Sequence, residues 1–325
     1  MKIDRETILK WTLSEGFPSA KICRPGFYNR DNPFRQFPEL SVVMVALPYE
    51  VDETEDLSSP EEPHGLIAPF ARRNYYREVV NRLKKIALRI RENTSLKKKD
   101  IRIFCNSQLP EKELAALSGL GFLGKNSLII TPQTGSLCVI GGMAFSLPLE
   151  PDVIDESFLI PGHHCGKCRA CIDACPTNAI LAPGRIDAQR CIQSLSTMLK
   201  PLPEYIMEKW GFRIYGCQSC QKVCPFNSCN LPGADTSLGV LGPSIPLQFF
   251  LASEEKVIET FFKGSTMGMS WIPPLALKRN AIIAAGNRRD ESLLPLLRPF
   301  LNSEISFLKG TAKWAINKIS LTPSI

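Results

Sequence analysis

The sequence predicts an α+β (α/β) fold in three parts, on three observations. Strand-like and helix-like segments alternate through residues 1–153. Eight of the twelve cysteines fall into two motifs between 165 and 224, inside a middle part, 154–232, built of short elements. The last part, 233–325, returns to helical periodicity.

In the first part, residues 5–16 read as a helix with Ile8, Leu9 and Leu13 on one face and Gly16 closing it. Proline and asparagine make 25–38 a loop. The valine-rich 41–47 reads as a buried strand, and 74–92 as a helix, with Val79, Val80, Leu83, Ile86, Ala87 and Ile90 near a 3.6-residue period. A strand at 101–105 and a short helix at 111–118 follow. A strand at 127–131 then faces 137–140 across the turn Thr131-Pro-Gln-Thr-Gly135. After a Gly/Pro-rich connector at 232–246, the stretches 275–287, 292–301 and 306–319 read as amphipathic helices. These suit a HEAT-like stack or a simple helical bundle.

The chain has 325 residues, of which 44% are hydrophobic, enough for a sizeable core. Its longest apolar stretch, 137–145, is broken by Gly141 and Gly142, so no membrane-spanning helix is expected. The charged start, Met1-Lys-Ile-Asp-Arg-Glu6, leads into no apolar run, so no secretory leader is expected and a reducing, cytoplasmic setting follows. The net charge is +7 and unevenly placed. Residues 71–100 hold 11 Lys/Arg against 3 Asp/Glu, and 276–325 hold 8 against 3. Such segments suit a polyanionic partner, although a solvated helix face gives the same pattern.

The strongest chemical signal is Cys165-Gly-Lys-Cys168-Arg-Ala-Cys171-Ile-Asp-Ala-Cys175-Pro176. Three thiolates at successive two-residue gaps wrap one cubane, and the fourth, followed by proline, ligates the neighbouring cluster. The second half, Cys191 and then Cys217-Gln-Ser-Cys220-Gln-Lys-Val-Cys224-Pro225, has the same ending with its first thiolate displaced upstream. The reciprocal rule gives Cys165, Cys168, Cys171 and Cys224 to one 4Fe–4S cluster, and Cys175, Cys191, Cys217 and Cys220 to the other. Two four-cysteine zinc sites are the competing reading. Cys23, Cys105, Cys138 and Cys229 read as structural, and His163 and His164 as loop residues beside complete ligand sets. Lys167, Arg169 and Lys222, among the ligands, read as solvated charges. No dinucleotide fingerprint opens a helix in the first part. The string Gly119-Leu-Gly121-Phe-Leu-Gly124-Lys125-Asn126-Ser127 instead allows the backbone close approach to a large ligand.

That string, with Gly135-Ser136, Leu147-Pro-Leu149, the eight cysteines, Cys220-Gln-Lys-Val-Cys224-Pro-Phe-Asn227 and Leu277-Lys-Arg-Asn-Ala281, resembles the epoxyqueuosine reductase family over nearly the whole chain. Trp11-Thr-Leu-Ser-Glu-Gly-Phe17 and Ser41-Val-Val-Met-Val-Ala-Leu-Pro-Tyr49 are also similar to it. The resemblance implies a cobalamin-binding α/β domain akin to that of reductive dehalogenases, a ferredoxin-like two-cluster module and a HEAT-like helical tail. It implies two 4Fe–4S clusters and cobalamin as cofactors. The activity implied is reduction of an epoxide on a modified tRNA base to an alkene, the last step of queuosine synthesis. The partners implied are tRNA as substrate and an external electron donor, with a monomer expected and no membrane. Gly119, Gly121, Gly124, Lys125, Asn126, Ser127, Gly135 and Ser136 match the family's cofactor-binding string, and 72–99 and 278–318 become phosphate contacts. Two departures stand out. The family's proton-donating Asp is matched by Asn106, in Asn106-Ser-Gln-Leu-Pro110, and its Gly-x-Asp-Tyr-His string by Arg73-Asn-Tyr-Tyr-Arg77, where Tyr76 alone survives. An amide supplies no acidic proton, so a relocated acid, Glu111 or Glu113, becomes a candidate. The alternatives are a divergent paralogue acting on another substrate, or a non-catalytic ferredoxin-like electron carrier.

Overall fold

The structure is a computed structural model that describes residues 3–27, 40–51, 56–228 and 232–321. The first part contains α1 (Arg5–Ser14), β1 (Ser19–Cys23), β2 (Ser41–Pro48), β3 (His64–Ile67), α2 (Tyr75–Glu92), β4 (Ile101–Phe104), α3 (Glu111–Leu117), β5 (Phe122–Leu123), β6 (Ile129–Ile130) and β7 (Cys138–Phe145). The middle contributes α4 (Ala170–Asp173), β8 (Ile180–Ala182), β9 (Arg185–Ile186), α5 (Ile192–Leu195), α6 (Glu204–Lys209), β10 (Arg213–Tyr215) and α7 (Ser219–Lys222). The last part adds β11 (Ser244–Pro246), α8 (Leu247–Ala252), α9 (Glu255–Phe262), α10 (Pro274–Arg288), α11 (Leu294–Leu297) and α12 (Ser306–Ser320).

A four-stranded sheet in the order β1-β2-β7-β4, antiparallel throughout, forms the first layer. It settles the class of this part as α+β. Every residue of β2 is buried, so its period-two alternation feeds two cores. Val43, Val45 and Leu47 join Ile8 of α1 and the Val79, Leu83, Ile86 and Ile90 stripe of α2. Val42, Met44 and Ala46 join Leu114 and Ala115 of α3 on the other face. Each such Val, Leu, Ile or Met side chain contributes roughly 1.5–3 kcal/mol by burial. Asn74 caps α2, its Oδ1 accepting the Arg77 N–H at 3.1 Å. Gly141 and Gly142 break the apolar run because a side chain there would strike Val79 Cγ1 at 2.7 Å or Val43 O at 2.6 Å.

A second sheet, β10-β3-β11, takes one strand from each third of the sequence, with β10 parallel and β11 antiparallel to β3. Neither β3 nor β11 was legible locally: β3 is four residues, and β11 closes the proline-rich connector. The hairpin expected between 127–131 and 137–140 does not form. β6 pairs with β5, and 138–145 runs as β7 between β2 and β4. The turn survives only as a bridge between Thr131 and Gly135. The helix expected at 292–301 is broken into 3-10 and α turns, with Pro295 and Pro299 at their starts. α10 is buried on nearly all sides from Ala276 to Gly286, a central helix and not an amphipathic surface one. Most of the expected loop 25–38, and Cys229, lie outside the described residues. Among the described residues no helix is long and apolar enough to cross a membrane.

Candidate active site

The cysteines are delivered by two short helices that pack together, α4 and α7. Each carries the middle cysteine of a Cys-x2-Cys-x3-Cys-Pro run: Cys171 between Cys168 and Cys175, and Cys220 between Cys217 and Cys224. Each run's last cysteine crosses to the other helix's group. Cys165, Cys168, Cys171 and Cys224 line one small void with Lys125 and Phe226. Cys175, Cys191, Cys217 and Cys220 line a second, larger cavity. Burial pushes the Cys171 thiol up, and its neighbours Cys165, Cys224 and Cys168 push it further. The Cys220 thiol is pushed up to about 12 by burial, then by Cys217, Cys191, Cys171 and Cys175. The thiols of each set line a void, an arrangement that suits an iron–sulfur cluster.

The larger cavity has a volume of about 610 Å³, within the size range of cofactor sites. Tyr49, Phe70 and Tyr76 form one stretch of its wall; the loop from Asn106 to Pro110 and the first turn of α3 form another. Asn126 to Ile129, Ser136 and Cys138 to Ile140 continue it towards the second thiol set. Asn106 sits on this rim with a left-handed backbone, φ +53°, which asparagine tolerates better than most residues. Its loop is held by Glu111, whose carboxylate accepts the Asn106 N–H at 2.9 Å and the Ser107 N–H at 2.6 Å. Glu111 is buried with both oxygens engaged, so it anchors the loop; Glu113 is exposed at the rim. Tyr76 packs edge-on against Trp271, with ring centroids 6.0 Å apart. Burial pushes its phenol above the ordinary tyrosine range, and Tyr215, Cys105, Tyr49 and Glu111 act in the same direction.

Of the other expected site residues, Asn126, Ser127 and Ser136 line the cavity. Asn126 lines the first thiol void as well. Its Oδ1 accepts the Leu128 N–H at 3.2 Å, whereas its buried Nδ2 has no partner within the chain. The glycines do not line the cavity, and their role is corrected accordingly. Gly119, φ +76°, terminates α3, with the Leu120 N–H returning to the Ala115 carbonyl. Gly121 and Gly124 give room to Ile130, and Gly135 to Phe226 and Asn227. A close backbone approach is needed, but to protein. Lys125 reaches the carbonyls of Gly166 at 2.6 Å and Cys168 at 2.7 Å, bracing the first thiol set. Cys138, expected as structural only, is part of the cavity wall.

Two groups escaped the sequence reading. Gln221, between two ligand cysteines, donates from Nε2 to Tyr49 Oη at 2.8 Å and the Ser136 carbonyl at 2.7 Å. Asn227 completes this knot, donating to Ser136 Oγ at 3.0 Å and accepting the Ser136 N–H at 2.7 Å. It ties the thiol-bearing helix to the cavity wall. Arg279 and Asn280, legible only as part of a motif, are fully buried. Arg279 donates to the carbonyls of Leu195 and Met198, and Asn280 to those of Ser196 and Ile214, fixing the turn that follows Cys191. The expected phosphate contacts are thereby reduced. Arg279, Lys278 (to Glu255), Arg288 (to Asp56), Arg82 (to Glu78) and Arg89 (to Glu15) are engaged within the chain. Arg77, Lys84, Arg91 and Lys97 to Lys99 remain exposed.

This geometry defines an iron–sulfur protein whose second thiol set opens into a cofactor-sized cavity. The family model of a 4Fe-4S double cluster binding domain matches residues 164–227. The epoxyqueuosine reductase of Bacillus subtilis (strain 168) is 32% identical over 314 residues, covering 90% of this chain and 77% of the relative. The chain belongs to the epoxyqueuosine reductase family. A solved structure of the Bacillus subtilis enzyme, with its aspartate-bearing catalytic loop swung out of the active site, matches with a TM-score of 0.81 and 27% identity, covering 97% of this chain and 90% of that one. An epoxyqueuosine reductase crystallised with an epoxyqueuosine-modified tRNA-Tyr stem loop matches with a TM-score of 0.80 and 26% identity, over the same shares.

Proposed function

We propose that this chain reduces the epoxide of epoxyqueuosine in tRNA to the alkene of queuosine. One observation carries the reading: the thiols of Cys175, Cys191, Cys217 and Cys220 line the same cavity as Tyr76 and the Asn106 loop, so electrons and a proton donor meet in one chamber. The reaction consumes two electrons and two protons, breaks both carbon–oxygen bonds of the epoxide and releases water.

The cavity residues fit a corrinoid, a large ring fringed with carboxamides. The unpartnered Asn126 Nδ2 lacks an acceptor, and Ser127, Ser136 and Gln193 add polar groups that would hold such a fringe. When bound, the corrinoid supplies a low-valent cobalt centre as the immediate reductant. Ile140, Ile180 and Ile186 give the chamber an apolar stretch of wall. Tyr76 Oη gives its proton to the departing oxygen, whose alkoxide is far more basic than a phenolate. Asn106 orients that oxygen through its amide. By the sequence resemblance it matches the family's proton-donating aspartate. The tRNA backbone is met by the exposed cations, Arg77 beside Tyr76 among them. The division into 1–153, 154–232 and 233–325 fits these roles: corrinoid chamber, electron supply and a HEAT-like brace.

The test is anaerobic reconstitution with iron, sulfide and cobalamin, followed by incubation with epoxyqueuosine-containing tRNA and dithionite. Nucleoside mass analysis should show queuosine. Its absence from fully loaded protein would contradict this function and favour a divergent paralogue or an electron carrier.

A further inference from the structure

The two thiol sets are unequally placed. The second lines the cavity and the first does not; all eight thiols are half-buried, but Gly166, Lys167, Lys222 and Phe226 beside the first set are exposed. Electrons bound for the cavity therefore enter at the first set. Around it the chain presents open ground. A side chain built at Gly166 would meet nothing within 4 Å, and Lys167 beside it is exposed. Across the α4–α7 pair stand exposed Lys222, then Val223 and Phe226, which are 41% and 40% exposed. Arg169 adds a cation held 3.2 Å from Asp173, the one acid on α4. Asp155 lies 3.8 Å from His164, which offsets its charge. The result is a small apolar face within a mainly cationic rim.

We propose that this rim, centred on Lys167, Lys222 and Phe226, is the docking surface for an acidic one-electron carrier protein. The inference deepens the proposed function by naming the class of electron donor, and it rests on that reading for the direction of flow. A cationic rim raises the encounter rate with an acidic partner, and the small apolar face gives contact without a long-lived complex. Electron-transfer pairs sit at the small end of interface size, below about 1,200 Å². Each encounter oxidises the carrier by one electron and reduces the first cluster by one. Two encounters supply the two electrons that the epoxide consumes, and the protons arrive separately from the cavity side.

The experiment uses the full reconstituted chain and an acidic flavodoxin as the probe. Binding is measured across ionic strength, and reduction of the clusters by the flavodoxin hydroquinone is followed by stopped-flow bleaching. The parent protein should bind at low salt and lose affinity steeply as salt rises. The double variant Lys167→Glu, Lys222→Glu should bind at least tenfold more weakly and accept electrons from flavodoxin at least tenfold more slowly. Its iron content and its bleaching by dithionite should stay at parent levels. Lys167→Arg with Lys222→Arg should behave as the parent does. Salt-independent or absent binding of the parent, or a Glu variant within twofold of it, overturns the proposal. So does a stem-loop RNA that competes with the flavodoxin, because it assigns the rim to nucleic acid. Bleaching needs neither corrinoid nor tRNA. Failure of queuosine formation with intact docking would therefore strike the proposed function and leave the surface standing.

Discussion

Glu111 and Tyr76 divide the two tasks that the sequence left on a single missing acid. Glu111 holds the Asn106 loop through two charge-assisted hydrogen bonds. Glu111→Gln puts an amide N–H against one of these donors and should cost about 2 kcal/mol of stability, read by anaerobic denaturant unfolding. Tyr76→Phe keeps the packing on Trp271 and removes only the hydroxyl. Turnover should fall by about 10²–10⁴ with unchanged iron and corrinoid content. Asn106→Asp should leave turnover within about threefold, since the phenol already supplies the proton. An Asp variant that restores activity to Tyr76→Phe would move the donor role to the loop. The pH profile carries the same assignment. A general acid works while protonated, and burial raises this phenol above its ordinary value of about 10. No alkaline loss of activity should therefore appear below about pH 10 from this group, and loss should set in as pH rises through the shifted value. The sequence singled out both residues but not this division of roles, because Tyr76 and Glu111 are 35 positions apart and meet only across the folded cavity.

Short elements account for both the successes and the misreadings. The cysteine runs were legible because most of their spacing is local: α4 and α7, one turn each, carry the middle cysteine of each run, and Cys191 alone comes from a distant turn. The glycine string was misread because a ligand's approach and a protein backbone's approach demand the same absence of Cβ. Gly119→Ala should cost about 1–2 kcal/mol through its left-handed backbone. Gly121→Ala should cost more, because the new Cβ would stand 2.5 Å from the Ile130 carbonyl oxygen. α10 was read as amphipathic, with polar Lys278, Arg279 and Asn280 among its apolar residues. They are buried, and Arg279 and Asn280 turn towards the carbonyls after α5. Burial draws the Arg279 guanidinium down to about 10, which still leaves it charged at neutral pH. Arg279→Met removes the partner of these carbonyls. It should loosen Cys191 and lower iron content preferentially at the second cluster, as cluster-resolved EPR spectra would show.

At the scale of the molecule, composition suggested three parts, but the contacts that join those stretches left no trace in it. The β10-β3-β11 sheet and the Gln221–Tyr49–Ser136–Asn227 knot both join residues far apart in sequence, and neither leaves a periodic trace. These joints bring the second thiol set to the cavity wall, as the proposed path of electrons requires. The account stands on eight thiolates holding two iron–sulfur cubanes, the second beside a corrinoid. Its most direct test is the iron, acid-labile sulfide and corrinoid content of the anaerobically reconstituted chain after gel filtration. The account predicts about eight iron and eight sulfide per chain, from two 4Fe-4S clusters, together with about one corrinoid. Zinc in place of iron, or protein that emerges without corrinoid, would contradict it.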